Sequence, residues 1–397
     1  AGAVPEAQPA QLAHPDLDQA LAVGVLERDL EVRLAADPQH ARLLAHVEEA
    51  EAGQHQRDLA LLGLLLKFVQ QEPADGPMTR MEGNTMGTYY VVQLAGVDLS
   101  PADAQRVHAL IDAELLAVNE AMSTYMPESE ISRFNRHRDP TPFPISFRFR
   151  EVMERAFDLY EDLSGTFDPT VGPLVNLWGF GERGGILRQP DPDALSAARE
   201  LVGLSRLITL TDEGLVKSDP EVQLNLSAIA KGYGVDRVLR LLLDLGFVNV
   251  HVEIGGDLAV RGRNAGGLPW RIGIQLPERD QEGELMLVLG VEHGAMATSG
   301  DYQNFIDLPE GHVHHILDPR TGHPVASSLA SVTIIAPDCM TADAIATGLF
   351  VKGAEAGLAW VERHPGIEAL FIERGPHGDF RTRVSEGFRR FVVLGDL

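Results

Sequence analysis

The chain has 397 residues, of which 44% are hydrophobic and 23% charged, a composition ordinary for a globular protein of two or three domains. Its formal net charge of −25 disfavours nucleic acid and anionic membranes as partners, because an acidic surface repels both. The single cysteine, Cys339, excludes an internal disulfide framework and a cysteine-based metal cluster, and no apolar run is long enough to cross a membrane.

Residues 1–77 differ in character from the rest of the chain. They contain no methionine, and Phe68 is their only aromatic residue. Their apolar positions follow a loose helical spacing, and residues 72–77 contain two prolines and a glycine, which is typical of a linker. Two interpretations stay open: a non-native extension from a misplaced start, weakly packed or disordered, or a native helical appendage. No signal peptide or lipidation cysteine is visible; a cleaved signal and a fragment boundary both fit the Ala1 start.

From residue 78 onward, short β-branched stretches mix with amphipathic helices. Strands are predicted at 88–94, 207–210, 215–218, 248–254, 258–261, 271–275, 285–290, 294–298, 368–373 and 389–393. Helices are predicted at 101–122, 147–163, 227–245 and 354–364, with another around residue 343. Because hairpins and helices mix without strict β-α-β alternation, the pattern favours an α+β fold with a largely antiparallel sheet.

The stretch 338–351 has apolar residues at helical spacing, yet it contains Asp343 and Thr347. Residues four apart share one helix face, and burying such polar groups unpaired costs a few kcal/mol. A carboxylate and a hydroxyl are hard oxygen donors of the kind that Mg²⁺ prefers. The simpler alternative is a first helical turn whose polar groups are capped or solvated. The spacing alone leaves both interpretations open.

Two other segments have the composition of ligand sites. Residues 225–234 open a predicted helix with small residues and Lys231, so the helix N-terminus and the ammonium could bind an anion such as phosphate. The alternative is an N-cap at Asn225 or Ser227 with a solvated lysine. The Gly255-Gly256-Asp257 turn would allow a ligand close to the backbone, or it is an ordinary hairpin turn.

Three histidines, at 312, 314 and 315, precede a turn that contains Asp318, Pro319 and Gly322. A histidine there could act as a general base, since its pKa lies near neutral pH. A zinc site lacks any His-Glu-x-x-His partner pattern in the chain. Residues 179–184 match G-x-G-x-x-G, but glycine and proline interrupt the flanking stretches, which disfavours a dinucleotide fold. No P-loop motif occurs.

The order of the motifs along the chain is more specific than any one of them. They occupy residues 86–88, 122–125, 129–135, 166–172, 178–181, 225–236, 255–257, 297–302, 315–322 and 342–347. This series closely resembles the ApbE family of FAD:protein FMN transferases, from about Met81 to the C-terminus. The resemblance implies that residues 78–397 form an ApbE-like α+β domain of mixed, largely antiparallel sheets and packed helices, with two subdomains around a FAD cleft.

The resemblance also implies a reaction and its residues. FMN would pass from FAD to a threonine or serine hydroxyl of a target protein through a phosphoester bond, with release of AMP and a requirement for Mg²⁺. His315 would accept the proton of the hydroxyl, and Asp343, Thr347 and the carbonyl of Ala228 would bind the metal. The residues implied in FAD binding are Met86, Tyr125, Thr166, Phe167, Asp168, Asn225, Lys231 and Ile316. Asp257 and Asp301 are expected to shape the same cleft.

One position departs from the family pattern, because Asn225 stands where the family commonly has Asp, which could change FAD or metal affinity. Two other activities would use the same cleft: hydrolysis of FAD to FMN and AMP, and non-catalytic flavin binding by an assembly factor. By resemblance, the target is a subunit of a redox complex and the protein is periplasmic or associated with the inner membrane. A cytoplasmic location stays open.

Overall fold

The computed structural model describes residues 76–181, 189–278, 284–301, 305–308, 311–376, 379–395 and 397. The prediction for residues 1–77 therefore lies outside the described residues, apart from Gly76 and Pro77. The described residues belong to one compact unit, Pro73–Leu397.

Strands and helices alternate irregularly along the chain, as the α+β prediction requires. The strands are β1 (Met78–Thr85), β2 (Thr88–Ala95), β3 (Ile208–Thr211), β4 (Gly214–Lys217), β5 (Val250–Ile254), β6 (Asp257–Arg261), β7 (Trp270–Gln275), β8 (Leu285–Val291), β9 (His293–Gly300), β10 (Phe305–Leu308), β11 (Gly311–His314), β12 (Leu329–Ala336), β13 (Glu368–Arg374), β14 (Phe380–Val384) and β15 (Val392–Leu394). The α-helices are α1 (Pro101–Met122), α2 (Glu130–Arg136), α3 (Phe147–Asp162), α4 (Gly172–Leu177), α5 (Pro192–Glu200), α6 (Leu204–Leu207), α7 (Ala230–Asp244), α8 (Cys339–Lys352) and α9 (Ala354–Val361). Short 3₁₀ helices occupy Pro169–Val171 and Glu386–Phe391.

The centre of the fold is a sheet of eight described strands in the order β1-β2-β5-β6-β9-β12-β13-β14. Every neighbouring pair is antiparallel, which confirms the predicted sheet type. The interior strand β12 is buried along its whole length, because helices cover one face of the sheet and a smaller sheet covers the other.

Helices α1, α7 and α8 pack on one face of this sheet. Val107, Ile111 and Leu115 recur every four residues on α1 and bury one side of it against Tyr90 and Val92 of β2. Helix α8 is almost entirely buried because it packs against β9, β12 and α7 at once. The catalytic candidates Lys231 and Asp343 therefore lie on two helices held against the centre of the sheet.

A three-stranded sheet, β15-β8-β7, covers the opposite face. In β7, Trp270, Ile272 and Ile274 are buried while the residues between them are exposed, as expected for a strand with one face on a core. Three predicted boundaries are wrong by three residues. Residues 386–391 form a 3₁₀ helix, so the strand predicted from residue 389 begins at Val392. Helix α7 begins at Ala230 rather than at residue 227, and α9 ends at Val361 rather than at residue 364. No helix among the described residues is long and apolar enough to span a membrane.

Candidate active site

The N-terminal ends of α7 and α8 lie against each other, and Gly232 allows this approach. A Cβ at Gly232 would lie 2.2 Å from the carbonyl oxygen of Cys339, so any larger residue would force the helices apart. The N–H of Gly232 donates to the Asp343 carboxylate at 3.1 Å. Asp236 on α7 accepts the N–H groups of Cys339 and Met340 at 2.9 and 2.8 Å. These hydrogen bonds fix α8 relative to α7.

A cluster of two buried carboxylates and a half-buried lysine results. The ammonium of Lys231 forms an ion pair with Asp257 and lies 3.6 Å from Asp343 Oδ1. Asp257 and Asp343 are only 2% and 4% exposed. Asp257 is the first residue of β6, directly after the Gly255-Gly256 turn, so the turn predicted from sequence carries a carboxylate into the cluster.

Burial and charge act in opposite directions on these groups. Burial raises the pKa of the Asp343 carboxyl above its ordinary value; the charge of Lys231 opposes this rise, and the charge of Asp257 adds to it. Burial alone would lower the pKa of Lys231, but the charges of Asp257 and Asp343 outweigh it and raise that pKa above its ordinary value. The cluster thus holds two carboxylates for one ammonium, an arrangement that attracts a further cation.

Thr347 lies on the same side of α8 as Asp343, as its spacing predicted, and its hydroxyl is 3.0 Å from that of Ser299 on β9. The alternative of simple helix capping is wrong for this pair, because Asp338 provides the cap by accepting the N–H of Thr341. Ala228 lies in the turn before α7, partly buried against the main core.

Metal-ligand chemistry in this cluster would depend on oxygen atoms. Within the described residues, no group of three or more His, Cys, Asp or Glu side chains converges on a metal-binding point. The predicted set contains one carboxylate, one hydroxyl and one carbonyl. Such hard oxygen donors fit Mg²⁺, which keeps several waters as its remaining ligands.

The predicted flavin residues Thr166, Phe167 and Asp168 are all buried. The polar side chains bond within their own segment: Thr166 donates to the carbonyl of Leu163, and Asp168 accepts the N–H and hydroxyl of Thr170. Burial raises the pKa of Asp168 to about 6 despite these hydrogen bonds. Phe167 packs beside Gly348 of α8, so this segment adjoins the residue that follows Thr347.

Asn225 joins that segment to the start of α7. Its N–H donates to the carbonyl of Pro169 at 2.7 Å, and its Oδ1 accepts the N–H of Ser227 at 2.9 Å. Neither Asn225 nor Ser227 is the N-cap of α7, because Ile229 occupies that position without a side-chain cap. The alternative interpretation of Asn225 as a helix cap is therefore wrong, and the structure uses it in a turn.

Two further predicted flavin residues differ in exposure. Met86 lies in the β1-β2 turn with a positive φ of 50°, and its Sδ-methyl end packs against Gly234 of α7. Tyr125 follows α1 and is 69% exposed, which leaves its ring face open to solvent. An aromatic face in this state can take up a flat ring by stacking.

His315 directly follows β11, and its ring packs edge-on against Phe180 with centroids 6.4 Å apart. The neighbouring Ile316 is buried in the main core. Leu317 of this loop is buried in a small apolar cluster, whose other buried members are Leu174, Trp178, Leu195 and Val202. The Trp178 indole N–H donates to the carbonyl of Gly322 at 2.8 Å and fixes the 318–322 turn.

Several contacts in the site were not predicted from the sequence. Asp301 does not extend the charged cluster, since Arg374 binds its carboxylate at 2.5 and 2.8 Å. Asp236 and Ser299 lie within recognised motifs, but their contacts depend on partners far away in sequence. Gly232 could have predicted the close packing of α7, because a glycine near the start of a helix often allows another backbone segment to approach.

Comparison with known proteins identifies the family of this chain. A model of the ApbE family matches residues 86–371. A FAD:protein FMN transferase of Vibrio cholerae serotype O1 is 40% identical over 84% of this chain and 98% of its own length. Among solved structures, a flavin transferase ApbE from Vibrio cholerae has a TM-score of 0.72 at 39% identity, covering 79% of this chain and 99% of its own. The flavinyl transferase ApbE of Pseudomonas stutzeri, apo form, has a TM-score of 0.72 at 34% identity, covering 81% and 98%. The chain therefore belongs to the ApbE family of transferases.

Proposed function

We propose that this protein transfers FMN from FAD to a threonine or serine hydroxyl of a target protein in a Mg²⁺-dependent reaction. The hydroxyl oxygen forms a bond to the FMN phosphorus, the bond from that phosphorus to the AMP oxygen breaks, and AMP leaves. His315 accepts the hydroxyl proton. In phosphoryl transfer of this kind, positioning and charge neutralisation supply most of the catalysis.

The observation that carries the proposal is the charged cluster formed by half-buried Lys231 with the buried carboxylates of Asp257 and Asp343. Its two carboxylates exceed its one ammonium, and Thr347 adds a hydroxyl on the same side of α8. Asp343, Thr347 and the Ala228 carbonyl would hold Mg²⁺. When bound, the metal would supply positive charge to the pyrophosphate.

The cleft residues would divide the binding of FAD among them. Lys231 and the start of α7, where no side chain caps the helix, would attract phosphate oxygens. The exposed ring of Tyr125 would stack on a flat ring of FAD, and Met86, Phe167 and Ile316 would provide apolar contact. Thr166, Asp168 and Asn225 would shape the floor of the cleft through their bonded turns.

The acceptor side of the reaction would centre on His315. Its ring is oriented by Phe180, and the loop that carries it is fixed by Trp178. Histidine is the side chain most often used as a general base in proton transfer. The target would be an exported subunit of a redox complex, and the protein would act on the periplasmic side. The support for target and location is the family resemblance.

Mass spectrometry of the target tests the proposal. The purified protein is incubated with FAD, a target domain, and either Mg²⁺ or EDTA. We expect the target to gain the mass of FMN less water only with Mg²⁺, together with stoichiometric AMP. Asp343→Ala should abolish this turnover, whereas Asp212→Ala, at an exposed turn, should leave it unchanged. Full activity of Asp343→Ala would refute the metal assignment. Free FMN and AMP without an adduct would instead indicate a hydrolase, and bound but intact FAD would indicate a carrier.

A further inference from the structure

Lys231 lies between two buried carboxylates but is bound unequally by them. Its ammonium pairs closely with Asp257 and is 3.6 Å from Asp343 Oδ1. Asp257 is held in place at the start of β6, and its other oxygen faces the N–H of Thr298 at 3.4 Å. Asp343 is fixed from a different direction by the N–H of Gly232. Lys231 is therefore paired closely with Asp257 and only weakly with Asp343.

This inequality matters for any cation that binds Asp343. An ammonium close to a carboxylate competes with a metal ion for the same oxygens, and the two cations repel each other. If Lys231 had Asp343 as its only partner, metal binding would have to remove that partner. With Asp257 present, Lys231 keeps a compensating charge when the metal occupies Asp343.

Other carboxylates near this point are already engaged. Asp301 is bound by Arg374 through two hydrogen bonds. Asp236 accepts the first N–H groups of α8. Among the described residues, the ion pairs of Lys231 are those with Asp257 and Asp343. The task of holding the lysine away from Asp343 therefore falls to Asp257.

We propose that Asp257 is a positioning residue that holds Lys231 off Asp343 and so leaves that carboxylate available to the metal ion. This inference rests on the proposed function, in which Asp343 and Thr347 bind Mg²⁺. Asp257 acts through Lys231 and is not itself a metal ligand. Its loss lets Lys231 pair with Asp343, which weakens Mg²⁺ binding even before FAD is present.

A double-mutant cycle on Mg²⁺ affinity tests this, because it separates action through Lys231 from direct action on the metal. Titration calorimetry with Mg²⁺ alone is performed on the wild-type protein, Asp257→Asn, Lys231→Met and the double variant. Asp257→Asn should weaken Mg²⁺ binding by roughly tenfold or more, the size typical of residues that support metal ligands. Lys231→Met should tighten binding, since the competing ammonium is gone. In the Lys231→Met background, Asp257→Asn should have less than about a twofold effect.

Equal weakening by Asp257→Asn in both backgrounds would overturn the inference, because it would mean that Asp257 ligates the metal or acts by its charge alone. Glu114→Gln is the matched control: it removes a carboxylate that pairs with Arg148 and Arg237, and it should leave the Mg²⁺ affinity unchanged in both backgrounds. If Asp257→Asn does not fold, as judged by circular dichroism, unchanged Mg²⁺ affinity in Lys231→Met overturns the inference instead. Absence of Mg²⁺ binding by the wild-type protein, or wild-type affinity in Asp343→Ala, refutes the proposed metal site itself.

Discussion

His251 on β5 is a buried histidine that the proposed reaction does not use, and its burial predicts how stability depends on pH. It is 8% exposed, its ring centroid lies 5.5 Å from that of Trp270, and its Nδ1 lacks a hydrogen-bond partner among the described residues. Burial, with a smaller contribution from the charge of Arg80, lowers the pKa of His251 from 6.5 to about 4. The folded protein therefore holds this ring neutral at pH values where the unfolded chain protonates it.

The sign and size of the effect follow from these two pKa values. Between pH 6.5 and 4 the unfolded state binds the extra proton, so the free energy of unfolding rises with pH in this window. The contribution of His251 is fully present above pH 6.5 and is lost as the pH falls through 4. A difference of about 2.5 pKa units at about 1.36 kcal/mol per unit amounts to about 3 kcal/mol.

Urea unfolding of the wild-type protein and His251→Phe at several pH values from 4 to 8 measures this term. Phenylalanine keeps an aromatic ring beside Trp270 but cannot be protonated. The difference in unfolding free energy between the two proteins should change by about 3 kcal/mol in favour of the variant as the pH falls from 7 to 4. Parallel profiles for the wild-type protein and His251→Phe would refute the reasoning.

Three other substitutions test the arrangement of the site. Gly232→Ala should lower the free energy of unfolding in urea by about 1–3 kcal/mol and weaken Mg²⁺ binding, because its Cβ would clash with the Cys339 carbonyl. Gly266→Ala is the control, since its Cβ would lie 3.4 Å from Asn264 Oδ1. Equal behaviour of the two variants would contradict the packing argument. Trp178→Phe should slow FMN transfer while the FAD dissociation constant stays unchanged, since it frees the turn behind His315; a change in FAD binding alone would count against this role. Asp343→Asn should raise the unfolding free energy of the metal-free protein relative to the wild type, and this difference should grow as the pH rises from 4 to 8. The reason is that burial raises the pKa of Asp343, so its ionised form is unfavourable in the folded protein. A variant that is less stable than the wild type at pH 8 would contradict this prediction.

The local parts of the fold could be predicted where local chemistry determines them. Helix α1 occupies Pro101–Met122, the residues predicted, because Ser100 caps it and Pro101 fits its first turn. Strand β12 was missed because it is buried on both faces, so its sequence shows no alternation of polar and apolar residues. The edge strand β1 was missed for the opposite reason: polar residues such as Arg80, Glu82 and Asn84 weaken its apolar signal.

The site could be predicted in its residues but not in its contacts. The spacing of Asp343 and Thr347 predicted that they share one side of a helix, and both lie within α8, four residues apart. The hydrogen bond from Gly232 to Asp343 joins residues 111 positions apart, and no local pattern reports such a distance. Its formation depends on two helices approaching to backbone contact, which is decided by packing on the sheet.

The charged cluster is better explained by ligand binding than by stability. Two buried carboxylates that share one ammonium cannot both be compensated, and burying a charge without a partner is costly. A purely structural pairing would favour one acid for one base, as in the ion pair of Arg374, at the end of β13, with Asp301, directly after β9. Here the N–H of Gly232 donates to Asp343, and Asp236 accepts the N–H groups of Cys339 and Met340 at the start of the same helix. Together these hydrogen bonds hold Asp343 in place. A carboxylate that is held in a fixed position and is not balanced by a positive charge is suited to bind a cation.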